Sequence, residues 1–154
     1  MSADVTATTS TQVSVTIDIP GERPSEVFAW LCDTNNHVDT DGSGHVVSPV
    51  GAETLTAKGD TFGMQMKWIL PYQITNTVVE FEPDRRIAWR HFAGHRWRYE
   101  LEATEGGTRV TESFDIGHVP SLARGVYGLA FGFPDAYARN LRTSLERLRD
   151  ELAA

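Results

Sequence analysis

The sequence predicts an α+β fold in which an antiparallel β-sheet is joined to a long C-terminal helix, and two observations carry that prediction. Between Arg85 and Asp115 three segments alternate bulky apolar with charged residues: Ile87-Ala88-Trp89-Arg90-His91, Trp97-Arg98-Tyr99-Glu100-Leu101-Glu102 and Arg109-Val110-Thr111-Glu112-Ser113-Phe114. A period of two marks strands with one dry and one wet face, and Gly94 and Gly106-Gly107 supply the turns of a meander. Beyond Pro134, by contrast, Ala138, Leu141, Leu145, Leu148 and Leu152 recur at three- and four-residue steps between Arg139, Arg142, Glu146, Arg147 and Arg149. That is the apolar stripe of an amphipathic helix over Asp135 to Leu152.

The remaining elements follow in chain order. Residues 1–11, rich in Ser and Thr, read as a flexible leader, and a single domain is expected over residues 12–153. Val13, Val15, Ile17 and Ile19 alternate with polar residues as a strand that ends at Pro20-Gly21. Pro24 and Ser25 open a short helix with Glu26 in its first turn, and it stops near Asp33. Val46 to Ala52 is a strand interrupted by Pro49. Phe62, Met64, Met66 and Trp68 face inward from the next strand, and Gln73 to Glu82 follows with Val79 and Phe81 inward and Glu80 and Glu82 outward. In the meander an odd-numbered loop, Ala93-Gly94-His95, sets His91 opposite Trp97 and Trp89 opposite Tyr99. The second turn falls at Glu105-Gly106 or at Gly106-Gly107, and either choice leaves Glu112 near Tyr99. The glycine-punctuated run from Leu122 to Phe133 reads as a pliable lid or as a broken first part of the long helix.

Composition narrows the class of function. With 154 residues and 40% hydrophobic content the chain is long enough for one proper core. A net charge of −7 argues against a general attraction to nucleic acid or to anionic membranes. The arginines crowding the meander share a face with Glu100 and Glu102 and are expected to form cross-strand ion pairs. Cys32 is the only cysteine, so no internal disulfide forms, and a cytoplasmic location is expected in the absence of a signal-like start or a membrane-length apolar run. The run His37-Val38-Asp39-Thr40-Asp41-Gly42-Ser43-Gly44-His45 copies half of a calcium loop, but its twelfth position is Val50, so the motif fails. No metal and no cofactor are predicted. A homodimer is compatible with the sequence but not predicted by it.

Several strings in the correct order, Glu80-Phe81-Glu82-Pro83-Asp84-Arg85-Arg86-Ile87-Ala88-Trp89, Trp97-Arg98-Tyr99-Glu100-Leu101, Gly106-Gly107-Thr108-Arg109-Val110-Thr111 and Leu145-Glu146-Arg147-Leu148, resemble the START-like (SRPBCC) superfamily in its polyketide cyclase/dehydrase-type branch. The resemblance spans about residues 12–152 and implies the helix-grip fold, a curved antiparallel sheet wrapped around the C-terminal helix with a hydrophobic cavity between them. It implies no catalytic motif, because members range from cyclases to lipid carriers and co-chaperones.

The leading expectation is therefore binding of a small hydrophobic, lipid- or polyketide-like molecule, with a cyclase/dehydratase as the enzymatic alternative and a co-chaperone-like interaction module as the third. The expected cavity wall is Met64, Met66 and Trp68 from one strand, Trp89 and His91 from the next, and Trp97, Tyr99, Glu112 and Phe114 from the last two. Tyr127 and Phe131 stand at its mouth. Three polar residues on the dry face, His91, Tyr99 and Glu112, are the candidate acid/base groups. Glu112 lies in phase between Val110 and Phe114, where an isolated carboxylate is costly to bury. It acts as a proton carrier, orients a ligand's polar end, or is turned to solvent by a bulge after Val110; the sequence leaves these three open.

Overall fold

The computed structural model describes residues 2–43, 45–50, 54–91 and 94–154. Among them β1 (Asp4–Thr8), β2 (Gln12–Pro20), β3 (Val46–Val50), β4 (Thr61–Lys67), β5 (Pro71–Glu82), β6 (Arg86–Arg90), β7 (Arg96–Thr104) and β8 (Gly107–Asp115) form one antiparallel sheet in the order β1-β2-β8-β7-β6-β5-β4-β3. The sheet curls around the long helix α4 (Asp135–Ala153), giving the helix-grip architecture. Helices α1 (Pro24–Cys32), α2 (His37–Thr40) and α3 (Ser121–Leu129) complete the chain, with a 3-10 turn at Thr34–Asn36.

Each predicted pattern maps onto a burial pattern. Val13, Val15, Ile17 and Ile19 of β2 are buried, as are Leu141, Leu145 and Leu148 of α4, which packs on β2 and β8. Helix α1 starts where Pro24 needs no N–H partner, and the Glu26 carboxylate accepts the Arg23 N–H at 2.8 Å. It buries Val27, Phe28, Leu31 and Cys32, and burial pushes the Cys32 thiol up to about 11, so the thiol is inert. On the outer face, Glu80 receives Arg98 at 2.8 Å and faces Arg86 and Arg96 at 3.7 Å, while Arg86 reaches Glu100 at 3.1 Å. Arg86, Arg96 and Arg98 are thus joined to Glu80 and Glu100 in a lattice of cross-strand ion pairs, and Arg109 reaches Asp18 of β2 at 2.8 Å.

The structure corrects five expectations. Asp4–Thr8 of the expected leader is the edge strand β1; all five side chains are exposed, so backbone pairing to β2 leaves no apolar alternation to read. In β5 it is Val78, not Val79, that is buried, because a bulge between Val78 and Glu80 shifts the phase before Phe81 packs edge-on against Phe28 at 5.3 Å. The first meander hairpin pairs Trp89 with Trp97 and Ile87 with Tyr99, two residues from the expected register, since its loop runs from His91 to His95. An even slip preserves the faces. Phe92 and Ala93 of that loop lie outside the described residues, as do residues 51–53 of the strand expected to reach Ala52. Trp68 lies past the end of β4 and is exposed. Finally, the Leu122–Phe133 segment contains a regular nine-residue helix, α3, separate from α4.

The connection from α2 to β3 lies directly on α4. Arg147 Nη1 donates to the Asp41 carbonyl at 2.5 Å, and a side chain on Gly42 would collide with the backbone of Asn140 and Ser144. Gly42→Ala is therefore expected to destabilise the fold by about 1–3 kcal/mol. Gly125→Ala, at an exposed site of α3 with open space around it, is expected to stabilise by about 0.5–1 kcal/mol. Thermal unfolding of the two variants against the parent checks both signs, and equal shifts would refute the packing of this loop on α4.

Candidate functional site

The inner face of the sheet is built by three strands in strict register. β8 pairs without interruption with β2 on one side and β7 on the other, so Val110, Glu112 and Phe114 all point toward the helices. The bulge that would have turned Glu112 to solvent does not occur. Glu112 stands directly opposite Tyr99 and is 3% exposed, with Ser144 of α4 above the pair. The Tyr99 and Ser144 hydroxyls are 3.4 Å apart. Burial is the main cause that raises the Glu112 pKa to about 8, and the two hydroxyls only partly draw it down, so the carboxyl is largely protonated at neutral pH. Its Oε2 is buried and has no hydrogen-bond partner among the described residues. Tyr99 is pushed well above the ordinary phenol range by burial and by Glu112, and remains a neutral hydroxyl.

A second polar pair sits under α3. His95 Nδ1 and the Tyr127 hydroxyl are 2.7 Å apart and both residues are buried. Burial, and then the neighbouring His91, lower the His95 pKa to about 3, so its imidazole is neutral. His91 is half-buried, with its ring centroid 4.3 Å from that of His95.

Aromatic rings surround both pairs. Phe114 stacks on Tyr137 with centroids 3.9 Å apart and planes 7° from parallel, and it touches Trp97 at 4.5 Å and His95 at 5.1 Å. Farther along the sheet, His37 stacks on Trp89 at 4.8 Å, while Phe62 meets Trp89 edge-on at 5.5 Å. His37 Nε2 lies 2.9 Å from the Leu31 carbonyl, and its buried Nδ1 lacks a hydrogen-bond partner among the described residues. The rings are in mutual contact, so the wall expected around a cavity is here a packed cluster.

Of the expected site residues, Met64, Trp89, Tyr99, Glu112, Phe114 and Tyr127 are buried on this face, and Met66 and Trp97 are partly buried against it. Trp68 and Phe131 are exposed at its rim, where their rings meet at 6.1 Å. The sequence reading missed four residues: His37, His95, Tyr137 and Ser144. Tyr137 and Ser144 share the α4 face of Leu141 and Leu148 at four- and three-residue steps, and His95 is two residues before Trp97, so both signals were present. His37 lies in a four-residue helix inside a polar run, and no periodicity marks it.

Comparison with known proteins agrees with the architecture. Residues 9–153 match a family model described as polyketide cyclase / dehydrase and lipid transport. The uncharacterized protein Rv0088 of Mycobacterium tuberculosis is 35% identical over 133 residues, which cover 84% of this chain and 59% of that protein. The chain thus spans about three fifths of the curated relative's length. A crystal structure from Rhodobacter sphaeroides superposes with a TM-score of 0.71 over 99% of both chains at 15% identity. The di-domain aromatase/cyclase StfQ of steffimycin biosynthesis gives 0.64 over 94% of this chain and 52% of its own, at 13% identity. These two likenesses bear on the fold alone.

A buried carboxyl with a raised pKa makes stability depend on pH with a definite sign. The unfolded chain's carboxyl ionises near 4.5 and the folded one near 8, so between these values the native state keeps a proton that the unfolded state has lost. Glu112 therefore costs more stability as pH rises through that window, with a limiting slope of about 1.4 kcal/mol per pH unit. Glu112→Gln removes the titration. Urea unfolding of parent and variant from about pH 5 to about pH 8 is expected to show the variant gaining relative stability with rising pH. A constant difference would mean that Glu112 is solvated.

Proposed function

The chain belongs to the polyketide cyclase / dehydrase and lipid transport family, the SRPBCC branch its sequence resembles, and from that premise we propose that it binds a small hydrophobic, polyketide- or lipid-like molecule between the inner face of the sheet and α4. The observation that carries this reading is Glu112. A buried carboxyl oxygen left without a hydrogen-bond partner costs about 1–3 kcal/mol, and a ligand hydroxyl placed against Oε2, able to donate or accept, would recover it. The surrounding apolar and aromatic wall with a few convergent polar groups has the chemistry of a small-molecule site. Tyr99 and Ser144 flank the carboxyl and draw its pKa partly down, and the aromatic rings supply a flat surface for an unsaturated skeleton.

Because the rings touch one another, a ligand enters only when some of them withdraw. The movable group is α3 with the residues after it, which carry Tyr127, Phe131 and Phe133 against the cluster. Among the described residues its polar hold on the body is the Tyr127–His95 pair and Arg124 donating to the Gly117 and Val119 carbonyls, and its apolar hold is Tyr127 with the partly buried Ala123. Opening it exposes the aromatic face without disturbing a strand.

Glu112 also supports the enzymatic alternative. A carboxyl that is still protonated near pH 7 can donate a proton to an oxygen leaving in a dehydration or to a carbonyl attacked in a cyclisation, with Tyr99 as its neutral partner. Binding and turnover are separable. The minimal probe is 2-naphthol, an aromatic bicycle with one hydroxyl, compared with naphthalene, which lacks it. The parent is expected to prefer 2-naphthol by roughly tenfold or more, and Glu112→Leu to lose that preference while still binding naphthalene. Tyr99→Phe is expected to weaken it less. No saturable binding of either probe would refute the site, and an equal preference in parent and Glu112→Leu would remove Glu112 from it.

A further inference from the structure

Helix α3 is amphipathic in the wrong direction. Leu122, Val126 and Leu129 lie at four- and three-residue steps, the stripe a globular protein ordinarily turns to its core, yet Leu122 is 99% exposed and Leu129 94%. The residue that the helix buries is Tyr127, and Arg124 is half-buried, its guanidinium spent on the Gly117 and Val119 carbonyls. Beside α3 the tip between β4 and β5 repeats the inversion, with Ile69 78% and Leu70 74% exposed. Trp68 of that tip contacts Phe131 just after α3, so the two elements form one continuous apolar surface.

Charge is distributed around this surface in a telling way. The chain has 21 Asp and Glu residues, and none falls within residues 61–79 or 116–134, the two stretches that build it. Lys67 and Tyr72 flank the tip. In a strongly acidic protein the two stretches that carry the protruding Leu and Ile side chains thus hold no carboxylate, and they include Trp68, Lys67 and Tyr72. A lipid headgroup layer selects for that arrangement: phosphate oxygens repel carboxylates and accept Lys and indole donors, while protruding aliphatic tips reach the acyl boundary. We propose that α3 and the β4–β5 tip form a membrane-surface docking site that seats the protein reversibly on the interface of a phospholipid bilayer. Docking is driven by apolar insertion and not by net charge, since the whole chain carries −7. Docking at this surface does not require a ligand in the interior.

The test is flotation of the full chain with vesicles of pure phosphatidylcholine, at low and high salt. The parent is expected to float with these vesicles at both salt concentrations and no better when phosphatidylserine is added. Leu129→Ser and Ile69→Ser are each expected to lose roughly tenfold in partitioning, and together to abolish flotation. Both side chains are largely exposed, so circular dichroism of the variants should match the parent. Failure of the parent to float at lipid excess, or equal flotation of parent and double variant, would overturn the proposal. So would a parent that ignores vesicles but forms a dimer, or holds a protein partner, that the double variant loses, because the surface would then be a protein interface.

Discussion

The pairing of β8 along its whole length with β2 and β7 is the constraint on which the rest of the structure depends. Its nine residues carry no bulge, so their alternation is rigid. A slip of one residue would send Val110, Glu112 and Phe114 outward together and leave α4 without a surface to lie on. Short side-chain bonds on the opposite face lock the register: Ser14 with Ser113 at 2.8 Å and Thr16 with Thr111 at 2.9 Å. Once the phase is set, the position of Tyr137 over Phe114 and of Ser144 over Tyr99 follows from the pitch of a single straight helix. The Tyr99–Glu112–Ser144 group and the Phe114–Tyr137 stack are therefore assembled by two paired strands and one helix.

Two polar clusters within this interior make opposite demands on pH. Glu112 favours the native state on the acid side of its window and costs more as pH rises from about 4.5 to about 8. His95 behaves inversely: its folded pKa near 3 lies below the usual 6.5, so the unfolded chain takes up a proton first and stability falls as pH drops through 6.5. His37, buried against Trp89 and likewise held low, adds to the acid-side loss. Where the windows overlap, between about 4.5 and 6.5, the carboxyl and the imidazoles pull against each other. A core selected for stability alone would contain neither, since apolar residues of equal volume remove both costs.

How much of this was legible in the sequence depends on how far each signal reaches. Period-two alternation reports which face a residue takes, and it correctly places Trp89, Trp97, Tyr99, Glu112 and Phe114 inward. It does not report register, which is a property of the loop: the shortest odd loop sets Trp89 opposite Tyr99, and the structure pairs it with Trp97. It fails wherever a bulge breaks the phase, as at Val78–Glu80, and wherever an edge strand buries neither face, as in β1. The polar side of the site was half visible. The cost of burying a carboxylate marks Glu112, but His95, also an inward polar residue, reads as part of the Ala93-Gly94-His95 turn. His37 could not be found, because a stack on Trp89 from a four-residue helix is a tertiary fact with no local pattern.

The exception to burial rules at α3 has the same physical logic as the exception at Glu112. A local preference is violated, and nothing among the described residues compensates for it. At Glu112 the violation is an unsatisfied oxygen in a dry place; at α3 it is an apolar stripe in a wet one. The two are connected through Tyr127, whose hydroxyl meets His95 and whose ring lies 5.9 Å from Phe114 and 5.8 Å from Phe131. Any contact that draws the exposed stripe of α3 away from the sheet must pull on Tyr127, and Tyr127 is the residue of α3 buried in the aromatic cluster. On the other side of the sheet, the ion pairs centred on Glu80 tie β5, β6 and β7 together and include no residue of α3. Helix α3 therefore stands between the aromatic interior, which it touches through Tyr127, and the apolar end of the molecule, to which it gives Leu122 and Leu129.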